Sequence, residues 1–143
     1  MEGLSKAWSI SAPGAYLVTV LGLSLLARVA HAFLRAIRLT HILEPPVTYW
    51  LAVWLSFKGV PPRGSKFPAD YWYTFILGCF EMVAYPVLIA THSWTIIGAW
   101  IGLKTVAQWS AWKRDRATFN LFLIGNALVF SLAFAFLVPM VRV

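Results

Sequence analysis

At 143 residues, 60% of them hydrophobic and only 12% charged, the chain holds too little charge to cover a water-facing surface; a soluble domain carries roughly 25%. The excess apolar surface calls for lipid as solvent, and the length suits one membrane unit. Twelve Lys and Arg against five acids give +7, but these basic residues mostly lie between apolar runs, where they set topology or meet anionic headgroups. No basic face with stacking aromatics forms, which argues against nucleic acid as a partner.

In chain order, residues 1–14 lack the basic opening of a signal peptide, so the first apolar run, Ala15 to Leu34, is expected to stay as a membrane span. Its 20 residues match the helical length that crosses about 30 Å of hydrocarbon. Pro13-Gly14 is a plausible start, and the helical pattern runs on to about His41. Val47 to Phe57 has only 11 residues and is fenced by Pro45-Pro46 and by Gly59 with Pro61-Pro62. It reaches half a bilayer, and Trp50 and Trp54 at i, i+4 suit the headgroup level, which predicts an interfacial or re-entrant helix. Asp70 is a candidate N-cap for a second span, Tyr71 to Ala90, which contains Glu81 and a potential kink at Pro86. The tight turn Thr91-His92-Ser93 leads to a third span, Trp94 to Trp112, and a fourth runs from Phe119 to about Val138, closed by Pro139. The predicted fold is an all-α bundle of four transmembrane helices in one domain.

Charge supports that count. With Val47–Phe57 on one side, Arg35, Arg38, Lys58, Arg63, Lys66, Lys113, Arg114 and Arg116 face the same compartment, eight in all, against Lys6 and Arg142. A fifth crossing would reduce the split to seven against three. The positive-inside rule prefers the first arrangement, with both termini outside the cytoplasm and a bacterial cytoplasmic membrane as the default location.

The informative residues are those a bilayer rejects, since a charge at its centre costs at least about 2.5–3.5 kcal/mol. Glu81 and Lys104 fall near the centres of two helices joined by a short turn, so they are expected to pair. Arg28, Gln108 and Asn126 come out at similar depth, which predicts a polar layer of Arg28, His31, Glu81, Lys104, Gln108 and Asn126. Arg28, His31, Arg35 and Arg38, spaced 3, 4 and 3, make a basic stripe on the first helix. Arg28 is deep enough to seek Glu81 or a bound anion, and His31 reads as a packing residue before it reads as a ligand. Arg35 and Arg38, with Trp50 and Trp54, are the expected headgroup contacts. Gly98-x-x-x-Gly102 offers close approach on the third span. Trp100, Lys104 and Gln108 share one face of that helix.

Motifs for catalysis are missing: no H-E-x-x-H, no G-x-S-x-G, no P-loop. The single Cys79 rules out an internal disulfide and a Cys-based metal cluster. The three histidines lie at different depths, so no catalytic, cofactor or metal site is assigned. The leading expectation is an accessory or structural subunit, bound by membrane lipids and by other subunits or copies of itself. A small homo-oligomeric transporter or binder of an anionic or protonatable substrate, using Glu81 with Arg28 or Lys104, is the alternative. A membrane enzyme acting on a lipid-soluble substrate comes third.

Overall fold

The computed structural model describes residues 9–42, 47–60, 71–112 and 116–142. Lys6, Trp8, Pro45-Pro46, residues 61–70 with Arg63, Lys66 and Asp70, residues 113–115, and the side chains of His41, Gln108, Ala111 and Trp112 lie outside the described set. In order come β1 (Ser9–Ile10), α1 (Pro13–Ile42), α2 (Tyr49–Lys58), α3 (Tyr71–Ala90), α4 (Trp94–Trp112), α5 (Arg116–Leu132) and β2 (Val141–Arg142). A π turn, Ala133–Leu137, and a 3-10 turn, Val138–Met140, join α5 to β2.

Local chemistry sets most of these boundaries. Pro13 occupies the first turn of α1, where its missing N–H is no loss, and the Ala12 carbonyl accepts the Tyr16 amide at 2.9 Å. α2 ends at Gly59 in the left-handed region, φ 72°, with the Val60 amide on the Leu55 carbonyl at 3.1 Å. α3 ends the same way at a non-glycine: His92 has φ 55°, its amide bonds the Ile89 carbonyl, and the Ser93 amide bonds Leu88. Pro139 cannot donate to residue 135, and its ring would press on that carbonyl. The chain widens into the π turn there, so the last helix is not the plain α-helix expected to about Val138. α5 also begins three residues earlier than Phe119, at Arg116.

Packing follows from α1, which at 30 residues is about 45 Å long. Its N-terminal half lies antiparallel to α3: the Tyr16 hydroxyl donates to the Val83 carbonyl at 3.0 Å, and Arg28 meets Trp72. Its C-terminal half lies antiparallel to α2: Phe33 packs on Tyr49 and Trp50, and Arg28 reaches the Phe57 carbonyl. α2 and α3 therefore follow one another in the same direction along one partner. Small residues (Ala32 and Ala36 on α1, Ala52 and Ser56 on α2) are buried where α1 meets α2, the close approach such pairs allow. Pro86 is buried inside an unbroken α3.

One apolar cluster fills the bundle near the chain ends: Tyr16 and Val20, Met82, Tyr85 and Ile89, Ile97, and Val129, Ala133 and Leu137. Beside it β1 and β2 meet. Ser9 pairs with Arg142 and Ile10 with Val141 in an antiparallel ladder, and Ser11 donates to the Met140 carbonyl through both its amide and its hydroxyl. Outward faces carry large apolar residues, among them Leu17, Val18, Leu21 and Leu25 on α1 and Tyr73, Ile76, Phe80 and Val83 on α3. Glu81, Arg28 and Ser24 are buried instead. That inversion belongs to a protein solvated by lipid. Among the described residues three segments are long and apolar enough to cross a membrane: Pro13–Thr40, Trp72–Ala90 and Arg116–Met140. The apolar stretch of α4, Trp94–Ala107, is shorter.

Candidate functional site

α3 and α4 are joined by three residues, so their registers are tied, and this places Glu81 opposite Lys104. The Lys104 ammonium lies 2.6 Å from Glu81 Oε1 and 2.6 Å from Asn126 Oδ1 of α5. Trp100, one turn before Lys104, donates its indole N–H to the same Glu81 oxygen at 2.6 Å. Asn126 is aimed by its own amide, which donates to the Phe122 carbonyl one turn back at 2.7 Å. The carboxylate is 3% exposed, so the network is stitched across three helices out of solvent. Each ion has its opposite charge and a neutral dipole, the condition under which buried charge is tolerated.

Arg28 is not part of this network, which corrects the expected single polar layer. Its guanidinium donates to the Phe57 carbonyl at 2.7 Å and stacks over Trp72 at 3.9 Å, with Phe75 at 5.1 Å. Trp72 and Glu81 are nine residues apart on α3, about 14 Å. The expectation assumed that all spans begin at one level. α2 takes up half of α1, so α3 starts beside the middle of α1 and Arg28 meets the beginning of α3. There it sits on the carbonyl end of α2, where a helix carries partial negative charge, and within an aromatic cage.

The basic stripe divides for a related reason. Three residues of helix turn 300°, leaving His31 about 60° away from Arg28. His31 faces α5, with its Nδ1 3.2 Å from the Ala27 carbonyl and its ring laid against Gly125. A Cβ at 125 would fall well inside van der Waals contact with that imidazole. Arg38 also faces α5 and donates to Thr118 Oγ1 at 3.1 Å. Arg35 is half-buried, while Trp50 and Trp54 point outward.

Trp100 and Gly125 were missed as partners, although both leave a trace in the sequence. Trp100 lies at i−4 from Lys104, and Gly125 precedes Asn126. Nothing in a linear pattern assigns Phe57, Trp72 and Phe75 to Arg28. Among the described residues Gly98 and Gly102 meet nothing, since a Cβ on either would have no atom within 4 Å. Among the described residues no three His, Cys, Asp or Glu side chains gather as a metal site. No protein-family model, no curated protein and no solved structure matches the chain.

Proposed function

We propose that the chain is a four-span membrane subunit whose interior charges hold its helices in register, and which works by assembly with other membrane chains or with copies of itself. The observation that carries this reading is the closure of the Glu81–Lys104–Asn126 network: the ammonium and the carboxylate are turned on each other and on Trp100 and Asn126. Such a network specifies helix packing. The bare glycine face of α4 supports the second half of the reading, because small residues facing lipid allow another helix to approach closely.

Parity supports four crossings. Pairing of Ser9–Ile10 with Val141–Arg142 favours one side of the membrane for these two segments. The number of crossings is then even, and the three long apolar helices need α4 as a fourth, with α2 dipping in and out on the basic side. Both termini would face away from the cytoplasm.

Native mass spectrometry after gentle release from the membrane tests the assembly. Other chains, or a whole-number multiple of 16.0 kDa, are expected; a lone monomer under mild conditions sinks the reading. The transporter alternative turns on the same carboxylate. Glu81→Gln should weaken the fold if the network is a staple, whereas a fully stable variant that has lost substrate movement would favour transport.

A further inference from the structure

α1 and α5 touch where the His31 ring lies on Gly125 and where Arg38 donates to Thr118. Those contacts are seven residues apart on α1, about 10 Å. Between and beside them the helices part to leave an open groove of about 260 Å³, lined by Leu34, Ile37, Leu121 and Ile124, with Arg38 and Asn120 as its polar residues and Ala117 at its edge. Arg35 is one turn from Arg38, and Arg116 begins α5 at the same end.

We propose that this groove is a binding site for an anionic phospholipid, with one acyl chain along Leu34, Leu121 and Ile124 and the phosphate at Arg38 and Asn120. Three things on the molecule select that occupant. The walls are apolar and open sideways to where hydrocarbon lies, which suits a chain and not a soluble solute. The groove's cation, Arg38, stands at one end of its α1 wall, as a headgroup stands to its tail. Arg38, with Arg116 opening α5 at that end, matches a net negative headgroup better than a zwitterionic one. The Thr118 hydroxyl accepts from Arg38 and so holds the guanidinium in place, an advantage over a freely swinging surface arginine.

The test uses the full chain in detergent, stripped of lipid and titrated with phosphatidylglycerol or phosphatidylcholine of matched chains. Bound lipid is read by native mass spectrometry. Phosphatidylglycerol should bind about fivefold more tightly, the ratio that about 1 kcal/mol from a membrane-proximal cation gives. Arg38→Gln should bring the two lipids level. Ile124→Trp, a filling change at an exposed position, should lower both. Arg142→Gln, at the other end of the molecule, should change neither. Equal binding of the two lipids by the unsubstituted chain overturns the proposal, as does saturable phosphatidylglycerol binding that survives Ile124→Trp. If Ile124→Trp releases a co-purifying protein and leaves lipid binding intact, the groove seats that protein and the proposal also falls. Should Arg38→Gln fail to fold, the two-lipid comparison and Ile124→Trp still decide.

Discussion

Lys104 holds two helices through one ammonium, so its removal leaves Glu81 as a buried charge without its counter-ion. Lys104→Met should cost about 3–5 kcal/mol in a detergent-unfolding titration, and Glu81→Met with Lys104→Met should recover most of it, because an apolar pair carries no desolvation penalty. A double variant as unstable as the single would show that the charges stabilise beyond their own compensation. Gly125 makes a sharper steric case. Gly125→Ala pushes a methyl group into the His31 ring and should cost about 1–3 kcal/mol. His31→Ala should cancel most of that loss, and two strictly additive changes would mean the ring is not the obstacle. His92 holds a left-handed backbone that glycine adopts freely, so His92→Gly should raise stability by about 1 kcal/mol. An unchanged or lower unfolding midpoint would count against strain at that turn.

At the scale of elements, α2 is a ten-residue helix that cannot stand alone and depends on α1. It is held by small-residue contact along its length and by Arg28 on its last carbonyls. Arg28→Gln removes the cation from a helix C-terminus and from three aromatic faces, so amide exchange in residues 49–58 should quicken on the order of tenfold. Exchange in α4 and α5 should stay as it was; equal quickening throughout would mean that Arg28 supports the whole bundle. α3 and α4 could be read from their sequences residue for residue, since proline, a short turn and unbroken apolar runs bracket them. The end of α5 was not, because a π turn is the local answer to Pro139 and has no periodic signature of its own.

For the whole molecule the terminal ladder matters most. Ser9 and Arg142 face each other across it, so cysteines at both positions, in a chain with Cys79→Ser, should cross-link in high yield under mild oxidant. A pair that stays reduced would undo the parity argument for an even number of crossings. Composition and apolar run length alone pointed to a helical chain with apolar helices of membrane length, and bounded α3 and α4, because hydrocarbon thickness and backbone hydrogen bonding leave so few alternatives. The meeting of Glu81 and Lys104 was legible as well, since a three-residue turn leaves two helices little freedom to slide. Only the tertiary structure decided that Arg28 belongs to the α2–α3 junction, that His31 closes on Gly125, and that the two ends of the chain pair. Each of these depends on how far one helix is shifted along another, and that shift is set by packing between residues distant in sequence, on which local pattern is silent.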